Sequence, residues 1–424
     1  MKIVYISQYY YPEPHSIHAE LAETLSSYGH EVTVVTSYPN YPLGKIYDGW
    51  KQKLLGEWEN INGVKVLRCP VWPDHSKSVL LRGFHYISFT LSAMLVICFR
   101  VPTPDVFLVH HPPPSLAIPA LLFSKRGNCP YVFRIADLWP EWIPGMGVSD
   151  NKTLLTIVES FMQLIYRTAA HLIVAAPGFK RRLVNKGVPA NKISFVSNYA
   201  DESIYYPQNK DKGLQQKFGI KENDIVIMYA GNIGLAQRID VLIDSMKLIK
   251  HRPEIRLFII GDGQNKKELQ KTCENERIES IIFLDQMLPE DVNRFYSIAD
   301  ALFIQLENRH QIWTDTIPSK IYAYMLAGRP IIAAMKGDGA NVVSASQGGC
   351  ICEPCNAHAI ADCILSIADI SIEDRMLMGK NNYNYVINNF SKNLMIRSIE
   401  NILCDAIKAN KSESIKDGFS GGTL

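Results

Sequence analysis

The chain has 424 residues, of which 47% are hydrophobic and 20% are charged, and its net charge is +2. This length exceeds what one hydrophobic core usually serves, so two domains are expected, and the balanced charge excludes a strongly basic nucleic-acid-binding surface. The nine cysteines show no disulfide-like spacing. The start, Met1 to Ile6, has the composition of a buried strand rather than of a cleavable signal sequence, so we expect a protein of the reducing cytoplasm.

Short β-branched apolar segments alternate with helical patterns along nearly the whole chain. This alternation is typical of βαβ units and parallel sheets. The predicted strands of the first half are Ile3–Ser7, Val32–Thr36, Val64–Arg68, Val106–His110, Tyr131–Ile135, Leu172–Ala175 and Ile193–Val196. Those of the second half are Ile225–Ala230, Arg256–Ile260, Ile281–Leu284, Ala301–Gln305 and Pro330–Ala334.

A polar stretch at 198–215 separates the two groups of strands. It predicts two doubly wound α/β domains, 1–200 and 201–385, followed by a C-terminal helix at 386–409 and a disordered tail at 410–424. Ligands of such sheets bind beyond the carboxyl ends of the strands. We therefore expect the two domains to face each other across a cleft that holds the site.

The segment Phe84–Phe99 contains no charged residue and is flanked by Lys77, Arg82 and Arg100. It is shorter than the roughly 20 apolar residues that a spanning helix needs. Two interpretations remain: a helix buried against the first sheet, or a helix lying in a membrane surface with its basic flank on lipid headgroups. We favour burial.

Three strand ends of the second half carry features suited to an anion. Met228–Gly234 runs into a two-glycine turn, and Phe258–Leu269 contains a Gly-Asp-Gly turn before a helix. Pro318-Ser319-Lys320 precedes a short predicted helix that ends before Gly328. Glycines allow the close approach of an anion, and a helix N-terminus with a hydroxyl and a cation suits a phosphate. Each feature alone is equally consistent with an ordinary βα connection, but the three together favour a phosphate site.

Polar and aromatic residues also follow a strand of the first half. Asp137 comes just after the strand Tyr131–Ile135, where it could take up a proton from a bound ligand or cap the next turn. Glu141 is a weaker candidate for the same role. Trp139 and Trp142 could stack on a ligand ring or fill the core.

Two patterns that suggest a metal site are rejected. The spacing of Cys350, Cys352 and Cys355, with Cys363 further on, lacks the paired knuckles of structural zinc sites, so these residues are interpreted as small hydrophobes. The adjacent His110 and His111 of a strand point to opposite faces and cannot easily share one ion.

With these motifs in place, the chain resembles the retaining GT-B glycosyltransferases of family 4, in particular the bacterial surface-polysaccharide branch with colanic-acid-type and L-fucosamine transferases. The resemblance covers almost the whole chain. It is carried by Tyr9–Pro14, Gly29–Thr36, Arg134–Glu141, Ala176–Phe179, Asn198–Asp201, Gly231–Gly234, Gly261–Gly263 and Pro318–Tyr322.

The resemblance implies a GT-B fold whose second domain holds a UDP-sugar without a metal ion or other cofactor. Lys320 would stabilise the leaving diphosphate, while Asp137 and Asp315 would act in catalysis. The donor-binding residues would be Gly231, Asn232, Gly234, Arg238, Gly261, Asp262, Gly263, Ser319, Lys320, Ile321 and Tyr322. The acceptor side would include Glu13, His15, Ser16, Trp139 and Glu141.

The chain also departs from the family pattern. Asp315 and Ala323 stand where family 4 commonly has two glutamates, and Ala323 cannot make the usual ribose contact. Either Tyr322 or a neighbour replaces that contact, or the affinity for the donor is reduced. Asn232 and Gln237 stand where an arginine and a lysine are common, which places more of the phosphate charge on Lys320. Pro14-His15-Ser16 replaces a loop that often carries two glycines, which suggests an altered acceptor.

The resulting hypothesis is transfer of an N-acetylated deoxyhexose such as L-FucNAc from UDP to an undecaprenyl-diphosphate-linked glycan in O-antigen, capsule or exopolysaccharide synthesis. The enzyme would be cytoplasmic and peripheral on the inner membrane, with no nucleic-acid partner. One alternative is a GT-B-like UDP-sugar 2-epimerase, which would need neither the Asp137 motif nor the apolar segment. The other is an inactive nucleotide-sugar-binding module, which Ala323 would favour.

Overall fold

The computed structural model describes residues 1–14, 16–76, 78–127, 129–145 and 147–420. Its contacts divide the chain into two compact units. The N-terminal unit comprises Met1–Val196 and Ile396–Leu424, and the C-terminal unit comprises Ser197–Met395. Each unit is a Rossmann-like α/β domain, as the strand pattern predicts.

The N-terminal unit is built on an eight-stranded sheet with the order β3-β4-β2-β1-β5-β6-β7-β8. All neighbours are parallel except β3 and β4, which form an antiparallel hairpin. The strands are β1 Lys2–Ile6, β2 Glu31–Ser37, β3 Glu57–Ile61, β4 Val64–Cys69, β5 Val106–His111, β6 Tyr131–Ile135, β7 His171–Val174 and β8 Ile193–Phe195.

In the described part of the chain, six α-helices connect these strands. They are α1 Ser16–Ser27, α2 Val79–Arg100, α3 Ala117–Gly127, α4 Trp142–Gly145, α5 Lys152–Thr168 and α6 Pro177–Asn185. The chain leaves β1 towards β2 on one side and reaches β5 on the other, so the strand order reverses between β1 and β5. Ligands of doubly wound sheets bind at such a reversal, beyond the carboxyl ends of the strands. In this unit that edge carries Gln8, His111 and Asp137.

The C-terminal unit is built on a six-stranded, wholly parallel sheet with the order β11-β10-β9-β12-β13-β14, which reverses between β9 and β12. Its strands are β9 Ile225–Ala230, β10 Ile255–Ile260, β11 Ile281–Leu284, β12 Ala301–Gln305, β13 Ile331–Ala334 and β14 Gly349–Cys352. Its helices are α7 Lys212–Lys217, α8 Ile239–Leu248, α9 Lys266–Asn275, α10 Pro289–Tyr296, α11 Lys320–Leu326, α12 Asp338–Ser346, α13 Ala357–Asp369 and α14 Ile372–Phe390.

The C-terminal helix differs from the prediction. The predicted helix at 386–409 is replaced by two, because Ser391 is extended and separates α14 from α15, Lys392–Ser420. The described part of the predicted disordered tail, 410–420, is helical. From Ile396 onward α15 belongs to the N-terminal unit, where Glu400 pairs with His30 at 2.7 Å and the Arg397 guanidinium lies over the Tyr28 ring.

A disulfide joins Cys350 of β14 to Cys363 of α13, which corrects the expectation that the cysteines are unpaired. The spacing along the chain did not reveal it, because the two residues meet only when the helix packs on the strand. Their Cα atoms are 6.0 Å apart, within the usual range for a disulfide. Cys352 and Cys355 are free.

The predicted apolar segment forms most of α2, and neither of its two interpretations describes it completely. Phe89, Ala93, Val96 and Ile97 are buried in the core, as the favoured interpretation requires. The opposite side of the same helix is solvent-exposed. Among the described residues, 80–100 is the one stretch long and apolar enough to cross a membrane, and only a third of its most apolar window is buried.

Candidate functional site

Three predicted motifs meet at the carboxyl ends of β9 and β10 in the C-terminal unit. Gly261 packs against the Gly231 backbone so closely that a Cβ on Gly261 would lie 2.0 Å from the Gly231 carbonyl oxygen. A Cβ on Gly263 would similarly lie 2.4 Å from the carbonyl oxygen of Ile233. Gly261 and Gly263 also have positive φ angles, 142° and 156°, which other residues rarely adopt. The two turns therefore require glycine.

Lys320 extends from the start of α11 to the first of these turns. A Cβ on Gly231 would lie 2.1 Å from the Lys320 Nζ, so the missing side chain leaves the space that the lysine occupies. The Nζ donates a hydrogen bond to the Tyr229 hydroxyl at 2.8 Å and lies 4.5 Å from the centre of that ring. The Tyr229 hydroxyl in turn donates to the carbonyl oxygen of Asn232 at 2.5 Å. Tyr229 thus holds both the lysine and the glycine turn.

Burial sets the electrostatics of this pair. It lowers the pKa of Lys320 to about 7, because the charged ammonium group is less stable away from water. No carboxylate charge counteracts this shift. Burial also raises the pKa of Tyr229 well above its usual value, so that this side chain remains a neutral hydroxyl. A cation without a carboxylate partner beside two glycine turns is suited to bind a diphosphate.

The remaining residues predicted on the donor side have different surroundings. Asn232 and Asp262 are exposed, and Asp262 accepts a hydrogen bond from the Gly263 N–H at 2.8 Å. Ser319 is exposed beside Lys320. Gly234 ends the first turn, where its missing Cβ makes room for the Asn232 side chain. These residues share the edge of the sheet with Lys320.

Arg238 is not available as a free phosphate ligand. Its guanidinium makes a bidentate contact with Asp240, with Nη2 to Oδ2 at 2.7 Å and Nε to Oδ1 at 3.0 Å. The Arg238 backbone has a positive φ of 44°, and its carbonyl accepts a hydrogen bond from Gln305. The residue therefore shapes the loop, whereas its charge is already compensated.

Ile321 and Tyr322 turn into the core, because both are fully buried and the Tyr322 ring packs against Phe390. Their N–H groups already donate to the carbonyls of Pro318 and Ser319. The side chain of Tyr322 therefore cannot replace a ribose contact from this position. Ala323 is also buried, at 8% exposure, so an alanine here fits a packed surface.

Asp315 is buried at 7% exposure in the loop before α11. A segment absent from the prediction closes this loop: the Asp338 N–H donates to the Thr314 carbonyl at 2.8 Å. A Cβ on Gly337 would lie 1.8 Å from the same oxygen. The sequence did contain a signal for this segment: the Gly-Asp-Gly motif that follows β10 at 261–263 occurs again after β13, as Gly337-Asp338-Gly339.

In the N-terminal unit Asp137 follows β6 at the reversal edge. Burial raises its pKa to about 7, so at neutral pH it can both take up and release a proton. The side-chain caps found at the helix starts do not include Asp137, and the Trp142 N–H instead donates to the Leu138 carbonyl at 2.9 Å. The capping role considered from the sequence is therefore not needed to explain this residue.

The neighbours of Asp137 are mainly structural. Trp139 packs edge-on against His111 with ring centres 5.5 Å apart, and burial lowers the pKa of His111 to about 3. The His110 ring instead meets His18, so the two histidines point to opposite faces as predicted. Glu141 pairs with Lys186 at 2.7 Å. Within the described residues, no group of three or more metal-ligating side chains is found.

Glu13 is an internal support rather than a ligand-facing group. Its carboxylate accepts hydrogen bonds from the N–H groups of Tyr10, Asn40 and Tyr41 at 2.8–3.1 Å, and it is 3% exposed. It therefore fixes the loop after β1 against the loop after β2. His15 lies outside the described residues, and Ser16 begins α1.

Comparison with known proteins agrees with this geometry. Residues 16–199 match the family described as glycosyl transferase 4-like domain, and residues 211–385 match the glycosyl transferases group 1. WcaI of Escherichia coli K12, named as a glycosyl transferase of colanic acid biosynthesis, is 26% identical over 67% of this chain and 71% of its own. A lipopolysaccharide 1,2-N-acetylglucosaminetransferase of Salmonella typhimurium is 25% identical over 72% of this chain and 79% of its own.

A solved structure also shares the fold. Anabaena HepE, crystallised with UDP and glucose, superposes with a TM-score of 0.70 at 15% identity, covering 95% of this chain and 99% of that one. At this identity the likeness shows the fold alone. The two family matches together extend over most of the chain, one on each unit. The N-terminal unit therefore carries a glycosyl transferase 4-like domain and the C-terminal unit a group 1 glycosyl transferase domain, and the fold is GT-B.

Proposed function

We propose that this enzyme is a retaining glycosyltransferase that moves a sugar from a UDP-sugar to a lipid-linked glycan. The observation that carries the proposal is the meeting of Lys320 with Gly231 and Gly261 at one edge of the C-terminal sheet. The glycines let the two turns and the lysine pack closely together. Lys320 supplies a positive charge that no carboxylate of the described residues pairs with. UDP bound to HepE supports a uridine nucleotide as the donor.

In the proposed reaction the bond between the sugar and the diphosphate breaks, and a bond forms to an acceptor hydroxyl. Negative charge grows on the leaving diphosphate, where the Lys320 ammonium offsets it. Tyr229 fixes the direction of that ammonium by its hydrogen bond. Asp137 receives the proton of the acceptor hydroxyl, and its pKa near 7 suits this task at neutral pH. Neither step requires a metal ion or another cofactor.

The names of the relatives support the synthesis of a surface polysaccharide as the biological role. WcaI is named for colanic acid and the Salmonella enzyme for lipopolysaccharide. Such glycans are assembled on lipid carriers, so we infer an undecaprenyl-diphosphate-linked acceptor and a peripheral position on the cytoplasmic face of the inner membrane. The exposed apolar side of α2 supports contact with a lipid surface. For the sugar itself we propose L-FucNAc or a related N-acetylated deoxyhexose, on the resemblance to that branch.

A two-stage assay tests this function. UDP-sugars are first screened for thermal stabilisation of the protein, because a ligand that binds the native state alone raises the melting temperature. The stabilising donor is then incubated with a lipid-diphosphate-linked sugar, and the products are separated by mass and anomeric configuration. A lengthened glycan with the donor's anomeric configuration is expected.

Other outcomes would point to the alternatives. A donor converted to its 2-epimer without an acceptor would identify an epimerase. A donor that binds but is neither transferred nor hydrolysed would indicate an inactive binding module. Transfer with inversion of the anomeric configuration would contradict the retaining mechanism while leaving the transferase assignment intact.

A further inference from the structure

Helix α2 exposes a continuous row of large apolar side chains. Leu80, Phe84, Ile87, Leu91, Leu95 and Phe99, spaced three or four residues apart, are 40–78% exposed and form what we call the outer α2 face. This spacing places them on one side of a helix. Scattered exposed apolar residues are normal in soluble proteins, whereas a contiguous patch marks an interaction surface. From Leu80 to Phe99 the row is about 28 Å long at 1.5 Å per residue.

The opposite side of α2 is fastened to the N-terminal unit by polar contacts. The His85 Nε2 lies 2.5 Å from the Gln8 Nε2, just beyond β1. The Thr90 hydroxyl donates to Ser115 at 2.8 Å, and the Ser92 hydroxyl donates to the Pro70 carbonyl at 2.5 Å. A helix that crossed a bilayer would carry these attachments into hydrocarbon. The helix therefore lies along a surface with its outer face turned away from the protein.

The border of the outer α2 face favours lipid as the occupant. The Trp72 side chain is 65% exposed, and its backbone N–H donates a hydrogen bond to the Ser88 hydroxyl of α2 at 2.9 Å. At the other end, Arg100 donates to the carbonyls of Leu55 and Gly56, which brings the exposed Leu54 and Leu55 beside the helix. An apolar face bordered by an indole and by basic side chains is typical of a helix lying in the membrane interface.

Arg82 lies between this face and the edge that carries Asp137. It is half-buried and stands one turn before Tyr86, which is therefore its neighbour on the helix surface. Within the described ranges, no carboxylate forms an ion pair with it. Burial raises the pKa of Tyr86, while the Arg82 charge lowers it and the Asp137 charge raises it. His85, three residues after Arg82 on the same helix, contacts Gln8 just beyond β1, so this turn of α2 lies at the reversal edge that also carries Asp137.

We infer that the outer α2 face lies in a lipid surface and that Arg82 binds the phosphate group of the lipid-linked acceptor. This inference rests on the proposed function and assigns the acceptor's lipid and phosphate to particular residues. The lipid tail would remain in the membrane beside α2, and the phosphate would stand at headgroup level beside Arg82. A guanidinium matches phosphate with two parallel hydrogen bonds, which would direct the attached sugar towards Asp137.

Vesicle flotation tests the membrane contact without any catalysis. The wild-type protein is expected to float with phosphatidylcholine vesicles that contain phosphatidylglycerol. Phe84→Glu/Leu91→Glu places two charges on the outer α2 face and should abolish flotation without changing the melting temperature, since both positions are exposed. The matched control Ile157→Glu changes a side chain of α5 that is 63% exposed and should float like wild type.

Two results would overturn this assignment. The double variant could float as well as wild type, in which case another surface contacts the membrane. Alternatively, the wild type could fail to float and form a dimer, while light scattering shows the double variant to be a monomer. The outer α2 face would then bind a second copy of the chain.

Equilibrium binding of farnesyl diphosphate, followed by titration calorimetry, tests Arg82. Arg82→Ala should weaken this ligand about tenfold to a hundredfold, the usual range for loss of a charged hydrogen bond. Arg82→Lys should recover part of the affinity. Farnesol, which lacks the phosphates, should bind equally weakly to all three proteins. Equal binding of farnesyl diphosphate to wild type and Arg82→Ala would remove Arg82 from the site.

These binding measurements separate failure of the inference from failure of the proposed function. If Arg82 and the outer α2 face behave as expected but no UDP-sugar is transferred, the lipid-phosphate site stands and the transferase reaction is wrong. If transfer to a lipid-linked acceptor occurs equally in Arg82→Ala and in wild type, the function stands and the phosphate site lies elsewhere.

Discussion

The Lys320 ammonium of α11 donates a hydrogen bond to the Tyr229 hydroxyl of β9 at 2.8 Å and lies above the same aromatic ring. The two residues are 91 positions apart in the sequence. Their contact joins the loop before α11 to the glycine turn after β9. A diphosphate bound at this place would meet a cation whose direction is already fixed, which is the arrangement that favours electrostatic catalysis.

Replacing Lys320 by Ala should lower kcat by roughly 10²- to 10³-fold, since loss of one contact to developing charge costs that much in comparable sites. The melting temperature should change little or rise, because a half-buried, largely desolvated cation is removed. UDP release and differential scanning fluorimetry measure the two effects. The control Lys336→Ala removes an exposed lysine that pairs with Glu353 at 2.6 Å and should retain wild-type activity. Full activity of Lys320→Ala would exclude the proposed role.

Tyr229→Phe should weaken UDP about tenfold or more while leaving the ring in place. It removes the hydroxyl that orients the ammonium, and hydrogen bonds to charged groups contribute about 1.5–3 kcal/mol. Titration calorimetry with UDP gives the affinity. Tyr324→Phe is a matched control, since the Tyr324 hydroxyl binds the Ala230 backbone and not Lys320. If both variants bound UDP equally well, Tyr229 would serve only the fold.

UDP affinity should fall as pH rises above 7, because Lys320 has a pKa of about 7 in the free protein. The bound diphosphate favours the charged ammonium and raises that pKa, so binding takes up a proton between the free and bound values. At pH 8 the uptake should approach one proton, as calorimetry in buffers of different ionisation enthalpy will show. Lys320→Ala should lose most of this uptake, and an unchanged value would assign the proton to another group.

Much of the second sheet was predictable from the sequence. Ile225–Ala230 and Ile281–Leu284 have the predicted bounds, since a strand buried on both faces is a continuous apolar run between turn residues. The same pattern located the glycine turns. The strand β3 was missed because its sequence is largely polar, although Asn62-Gly63, with φ angles of 51° and 84°, carries the signal of a tight hairpin.

Contacts between distant elements were not predictable in the same way. Tyr229 has the composition of any buried strand residue, and only the fold shows that its hydroxyl meets Lys320. The two sides of α2 were also hidden, because Phe84 on the outer face and Phe89 on the inner face are equally apolar. The apolar composition of α2 therefore does not show which of its side chains are buried and which are exposed. Arg238 is the reverse case: its charge suggested a phosphate ligand, but Asp240 already compensates it.

Gly261→Ala should destabilise the protein by more than about 1 kcal/mol, since the residue has a positive φ and its Cβ would clash with the Gly231 carbonyl. UDP affinity should fall with it, because the two glycine turns would have to separate. Chemical denaturation gives the free energy of unfolding. Gly83→Ala in α2 is the control: nothing lies within 4 Å of its added Cβ, and alanine favours a helix by about 0.5–1 kcal/mol. Equal stability of the two variants would contradict the close packing.

Asp137→Asn should lower kcat by roughly 10²- to 10⁴-fold, the usual contribution of a general base, while UDP binding to the C-terminal unit remains unchanged. In the wild type the rate should rise through pH 7, where the carboxyl ionises. Glu141→Gln changes a carboxylate that is paired with Lys186 and should keep that pH profile.

A stability measurement gives a second readout for Asp137. Because burial raises the Asp137 pKa from 3.8 to about 7, the folded protein binds more protons than the unfolded chain between these values. The free energy of unfolding should therefore decline as the pH rises from about 4 to about 7, and Asp137→Asn should remove that part of the decline. A variant with full activity and an unchanged stability profile would show that Asp137 is neither the base nor desolvated in the folded protein.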